Sequence, residues 1–133
     1  DLTFTYRTHM WESALKIIEK SPIWGWGFAD ADWFKANMTA FAIGPHNFIL
    51  SILIHGGVIL LSIYIMVCSK VFKTIHPYLK IKNMQLLLLA VACLWAMSLF
   101  EMYPYTIMFY ALALLYYSHY VYDDTDKRNL TTE

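Results

Sequence analysis

The chain has 133 residues, of which 59% are hydrophobic and 17% aromatic, and its formal net charge at pH 7 is zero. The zero balance argues against a basic surface for nucleic acid, and the apolar residues form blocks long enough to cross a bilayer. The sequence therefore predicts an all-α integral membrane protein with the lipid bilayer as a partner. Because it begins with Asp1 and shows no cleavable signal, we expect a fragment of a larger polytopic protein, packed against its upstream transmembrane helices.

The first predicted element is an amphipathic helix over about residues 6–20, in which apolar residues recur at helical spacing. The apolar stripe comprises Trp11, Ala14, Leu15 and Ile18, and the polar face comprises His9, Glu12, Lys16 and Glu19. We expect this helix to lie along the membrane surface or against the ends of spanning helices. Arg7 lies one turn before Trp11, where its guanidinium would either bind phosphate oxygens or extend to lipid headgroups.

Residues 23–44 show no clear period and are predicted to form an ordered loop. The loop contains Trp24-Gly25-Trp26-Gly27, whose glycines permit tight turns. Tryptophans such as Trp26 suit a membrane interface or a surface on which a sugar stacks, and anchoring at the interface is the commoner use.

His46 stands at the predicted start of the first spanning helix. Pro45 suits a helix start because it has no amide donor to leave unpaired, and Asn47 is suited to cap the same end. The first turn of a helix favours anions and disfavours a protonated imidazole. His46 is therefore a candidate base, and the alternative is that it is only a polar residue at the membrane surface.

Three spans are predicted, over about 47–69, 84–101 and 105–122, with a turn at 101–104 and a tail over 123–133. The connection at 70–83 contains four lysines and no acidic residue, which is typical of a cytoplasmic loop. Residues 1–46, with His46, and Glu101 then face outside, and the tail faces the cytoplasm. Glu101 would orient a substrate hydroxyl or simply be solvated.

Histidine and cysteine residues give no sign of a metal site, because the histidines are scattered and lack paired-ligand spacing. No phosphate-binding glycine loop or serine-nucleophile motif is present either, and we expect no cofactor. His55 lies inside the first span, and the following Gly56 and Gly57 suggest close helix packing. We interpret His55 as hydrogen bonded to a neighbouring helix.

Several short motifs occur in a characteristic order: Arg7 and Trp11 on the amphipathic helix, then "SPIWGWGF", then "PHNF" opening a membrane helix, then "GG" about ten residues on. Over residues 5–65 the chain thereby resembles the C-terminal part of the O-antigen ligase and polymerase family. The later spans resemble it in topology only.

The resemblance implies a multi-pass glycosyltransferase of the bacterial cytoplasmic (inner) membrane, with its active site facing outside and no need for a metal. Its donor would be an oligosaccharide linked to undecaprenyl diphosphate, with polymerase activity favoured over ligase activity. By the family pattern, Arg7 would hold the diphosphate and His46 would act as base, while Asn47, Trp26 and Glu101 are further candidates for substrate binding.

A noncatalytic membrane transporter or assembly subunit is the alternative function. A transporter should show polar residues along several spans, whereas the second span offers only Gln85 and Ser98. This favours chemistry at the outer surface.

Overall fold

A computed structural model describes residues 2–39, 42–100 and 105–130, and within these ranges the chain is helical with no strand. The helices are α1 (Leu2–Lys20), α2 (Ala31–Asn37), α3 (Phe48–Ile75), α4 (Lys82–Ser98) and α5 (Tyr105–Leu130), and a short 3₁₀ turn covers His76–Tyr78. The all-α prediction is confirmed for this part of the chain. Glu101 and the turn predicted around it lie outside the described residues.

Helix α1 is present as predicted, but its buried face differs by about one residue from the predicted stripe. Met10, Ala14 and Ile17 are buried, whereas Leu15 is 50% exposed. The reason is the packing partner, since α1 joins one apolar core with residues from the following loop, α2 and α3. That core comprises Met10, Ala14, Ile17, Ala29, Phe34, Ala42 and Ile54. The helix is thus part of a packed unit.

The segment predicted as a loop contains a helix of two turns, α2. Asp30 caps it, because its Oδ1 accepts a hydrogen bond from the Trp33 amide at 2.8 Å. Lys35 and Asp32 form an exposed ion pair at 3.1 Å on the same helix. Seven residues are too few for an apolar period to stand out, so the sequence pattern missed this element.

Helix α3 is divided at Gly57, which has φ 60° and ψ −158°. The rings of Phe48 and Tyr64 nevertheless meet, with centroids 5.2 Å apart. In a straight helix these residues would be separated by about 24 Å along the axis, so the first part must fold back on the second. We call the two parts α3a (48–56) and α3b (58–75). The predicted span over 47–69 is therefore not one continuous helix.

By length and composition alone, one segment of the described chain, Phe48–Tyr78, is apolar enough to cross a membrane, and this segment includes the break at Gly57. Helix α4 is apolar but has only 17 residues, and α5 extends beyond the predicted end at 122 to Leu130. The count of three spans remains a prediction.

The chain divides into two compact units, Asp1–Ile65 with Ala96–Tyr103, and Met66–Trp95 with Pro104–Glu133. The second unit has an apolar interior that includes Val71, Ile75, Met84, Val91, Met108, Leu112 and Leu115. It also contains an open cavity of about 390 Å³. The cavity is lined by residues between Cys68 and Leu115, and neither Arg7 nor His46 contributes to it. The candidate chemistry belongs to the first unit.

Candidate active site

The loop that follows α1 supplies the hydrogen bonds that the break in α3 removes. The amides of Trp26 and Gly27 donate to the carbonyl oxygens of Ile54 and His55, at 2.7 and 2.9 Å. On the other side of the break, the amides of Val58 and Ile59 donate to the carbonyl oxygens of Pro22 and Ile23, at 2.9 and 3.4 Å. Helix ends leave such groups unpaired, so residues 22–27 cap the end of α3a and the start of α3b together.

Two glycines allow this close approach of main chains. A Cβ atom at Gly25 would lie 2.6 Å from the Gly56 nitrogen, and one at Gly57 would collide with the carbonyl oxygen of Ile23. Both glycines also have positive φ angles, which other residues adopt only at a cost. Gly56 and Gly57 thus pack against the loop, whereas the sequence predicted that they pack against a neighbouring helix.

His55 faces the same loop. Its Nδ1 lies 2.7 Å from the Ser51 carbonyl oxygen of its own helix, and its Nε2 lies 3.2 Å from the Ala29 carbonyl oxygen. The Phe34 ring is 6.1 Å from the imidazole. These partners replace the neighbouring helix that was predicted, and they give His55 a structural role in joining α3a to the segment before α2.

Trp26 connects α1 to α3a. Its indole Nε1–H donates to the Ile17 carbonyl oxygen at 3.0 Å while its own amide bonds Ile54. The ring remains 43% exposed and lies 5.9 Å from the Trp33 ring. Phe28, at 87% exposure, is a neighbouring aromatic surface that the sequence pattern did not single out. Sugar contact by Trp26 remains a prediction.

Residues 45–47, which we call the histidine turn, lie before the first turn of α3a and not within it as predicted. Helix α3a begins at Phe48, and Asn47 caps it by accepting the Leu50 amide on Oδ1 at 3.0 Å. The capping role predicted for Asn47 is confirmed. Pro45 and His46 precede the cap, so neither occupies the first turn. The helix terminus therefore acts on His46 from one residue further away than the sequence suggested.

His46 itself has a left-handed backbone, with φ 46°. Among residues other than glycine this conformation is uncommon, although histidine, asparagine and aspartate adopt it more often than most. Such strain persists only where the surroundings fix it, and it clusters at functional sites. The turn is held in place on both sides of His46.

Trp11 joins the histidine turn to α1, which carries Arg7 and which we also call the arginine helix. Its Nε1–H donates to the carbonyl oxygen of buried Pro45 at 3.1 Å. Arg7 lies one helical turn before Trp11, and positions four apart are neighbours on one face of a helix. Arg7 and His46 are both partly exposed. Arg7 and His46, the two site residues predicted from the sequence, therefore lie on adjoining elements of the first unit.

The segment after α4 completes the same region. Asn47 Nδ2–H donates to the Leu99 carbonyl oxygen at 3.0 Å, and the Trp11 ring lies 6.4 Å from the Phe100 ring. The sequence pattern did not point to Phe100 or to Leu99, and Leu99 contributes only a main-chain acceptor, which leaves no side-chain signature. His9 lies on the exposed face of α1, 3.7 Å from Glu12.

Metal-ligating side chains do not cluster in the described ranges, where no group of three His, Cys, Asp or Glu residues could hold an ion. In the first unit, α1 offers the guanidinium of Arg7, and the adjoining turn before α3a offers the imidazole of His46. A guanidinium suits a substrate that carries phosphate.

Residues 1–65 match the O-antigen ligase family. The matched segment contains the arginine helix, the loop that caps α3 and the histidine turn, so the family resemblance of these motifs is confirmed there. The match indicates a function of the general O-antigen ligase and polymerase type. No curated protein and no solved structure matches the chain.

Proposed function

We propose that the protein is a membrane glycosyltransferase that transfers or polymerises a glycan carried on undecaprenyl diphosphate during synthesis of a surface polysaccharide. The observation that carries this proposal is the family match over residues 1–65, which includes both Arg7 and His46. The hydrogen bond between Trp11 and Pro45 supports it, because it joins the two elements that present these side chains.

The proposed reaction is a direct displacement at the anomeric carbon. The acceptor hydroxyl oxygen forms the new bond to that carbon as the bond to the diphosphate oxygen breaks, and the bonding electron pair leaves with the diphosphate. His46 accepts the hydroxyl proton on a ring nitrogen. Arg7 binds the departing diphosphate through two parallel N–H donors, a geometry that a guanidinium supplies and an ammonium does not.

Other candidate residues have supporting roles in this proposal. Asn47 holds the histidine turn and lies beside the substrate. Trp26 would offer only its ring face to a sugar, because its N–H is bonded to Ile17. Glu101 would orient the acceptor hydroxyl, as expected from the sequence.

The proposed location is the bacterial cytoplasmic membrane, crossed several times, with Arg7 and His46 at its outer face. Lys70, Lys73, Lys80 and Lys82 favour a cytoplasmic position for the connection between α3b and α4. Upstream helices of the same protein and the lipid-linked oligosaccharide are the proposed partners.

The direct test is incubation of the full-length protein with lipid-linked repeat units, followed by sizing of the glycans. A ladder of products would identify a polymerase, which we favour, and a single transfer to a separately supplied acceptor would identify a ligase. Addition of a chelator should leave either product unchanged if no metal takes part. Absence of product with both acceptors would contradict the proposed function.

A further inference from the structure

We infer that Trp11 is a positioning residue, which sets the orientation of the His46 imidazole and its distance from Arg7. This inference rests on the proposed function and assigns a role to a side chain that does not itself react. It begins from the backbone of His46, whose φ of 46° is uncommon for a residue other than glycine and persists where the surroundings fix it.

Support comes from the residues on either side of His46. Pro45 is fully buried, and its carbonyl oxygen accepts the Trp11 Nε1–H at 3.1 Å. Both polar atoms of the Asn47 side chain are bonded: Oδ1 accepts from the Leu50 amide and Nδ2 donates to the Leu99 carbonyl oxygen, each at 3.0 Å. The residues on both sides of His46 are therefore held by hydrogen bonds.

Both supports reach the same short segment. The Trp11 ring lies against Phe100, and the Asn47 side chain bonds the adjacent Leu99. Trp11, which is part of α1, thus contacts both the histidine turn and the segment after α4. Removal of its hydrogen bond would leave the Pro45 carbonyl oxygen without this donor and release one side of the turn.

The same side chain also fixes the position of α1 near the turn. Arg7 precedes Trp11 by four residues, one helical turn and about 6 Å along the axis. Where Trp11 is bonded, the Arg7 backbone cannot slide along the turn without breaking that contact. A misplacement of about 1 Å in reacting groups is sufficient to cost catalysis ~10²-fold, so even a small displacement would affect turnover.

The test compares Trp11→Phe with Ile17→Val in the full-length protein. Trp11→Phe removes the donor to the Pro45 carbonyl oxygen, 3.1 Å away, and keeps an aromatic ring. Ile17→Val loosens the packing of the same helix at a similar cost in stability, because Ile17 is buried in the core of the first unit. We expect Trp11→Phe to lower kcat about 3- to 10-fold, the effect of one lost hydrogen bond, with KM for the lipid-linked donor unchanged. Ile17→Val should retain a near-normal kcat per folded molecule.

A loss of kcat that is equal in the two variants would overturn the inference, because it would show a general effect of loosening α1. Wild-type kcat in Trp11→Phe would overturn it as well. If Trp11→Phe fails to fold, replacement of Trp11 by benzothienylalanine keeps the bicyclic ring and removes only the N–H, and the same fall in kcat is expected. Failure of the proposed function is distinct, since wild-type protein would then form no glycan product.

Discussion

The side chain of Asn47 joins the start of α3a to Leu99, whose carbonyl oxygen lies 3.0 Å from Asn47 Nδ2. The Oδ1 atom of the same amide accepts the Leu50 amide hydrogen bond that caps the helix. One side chain thus fixes both the helix terminus and the segment that follows α4.

Asn47→Ser and Asn47→Ala separate these two contributions. Serine caps helices about as well as asparagine, but its side chain is too short to replace the Nδ2 bond to Leu99, whereas alanine loses both interactions. We expect a graded loss of thermal stability in detergent, with alanine below serine by about 0.5–2 kcal/mol and serine below the wild type by about 0.5–1.5 kcal/mol. A serine variant as stable as the wild type would show that the bond to Leu99 contributes nothing.

His46→Ala should lower glycan transfer by ~10²–10⁴-fold, the usual contribution of a general base. The measurement is the rate of product formation from lipid-linked repeats, with membrane insertion checked separately. His9→Ala is the matched control, since His9 lies on the exposed face of α1, and we expect it to retain activity. Product of normal length and rate from His46→Ala would remove His46 from the mechanism.

Arg7→Lys keeps the positive charge and loses the two parallel donors. Hydrogen bonds to charged groups contribute about 1.5–3 kcal/mol, so the variant should lose roughly 10- to 100-fold in activity at subsaturating donor. Lys16→Gln removes an exposed cation from the same helix and serves as the control. Full activity in Arg7→Lys would exclude bidentate binding of the diphosphate by this residue.

Gly25→Ala should destabilise the protein more than Gly27→Ala. Both positions have positive φ, at 68° and 77°, and an alanine in that region costs about 1–2 kcal/mol. Only the Cβ at position 25 would also collide with α3, whereas nothing lies within 4 Å of one at position 27. Overpacking of this kind adds about 1–3 kcal/mol.

The measurement for this pair is the yield and melting temperature of folded protein in detergent. We expect Gly27→Ala to be recovered with a lowered melting temperature and Gly25→Ala to be recovered poorly or not at all. Equal behaviour of the two variants would mean that the loop does not approach the break in α3 as closely as described.

Periodicity and composition were sufficient to predict α1, the helical class and the separation of α4 from α5. They placed the buried face of α1 slightly wrong, because Trp11 and Leu15 are apolar but lie beside the core and not in it. Hydropathy also merged α3a and α3b, since a change of chain direction at Gly57 leaves the apolar character of the run unaltered.

The geometry of the site was less accessible from the sequence. The sequence identified three candidates, Arg7, His46 and Asn47. The hydrogen bonds that hold their elements together are accepted by the carbonyl oxygens of Pro45 and Leu99. Every residue carries such an oxygen, so no pattern of side chains distinguishes those two. The pairing of residues 22–27 with α3 was hidden for the same reason.

Four main-chain hydrogen bonds join residues 22–27 to α3. The geometry of this joint therefore places few demands on the side chains at Ile23, Trp24 and Phe28, which project outward with more than half of their surfaces exposed. Substitutions there can alter the chemistry of the exposed loop surface while the turn in α3 is retained. The architecture thus allows this surface to diversify independently of the scaffold that carries His46.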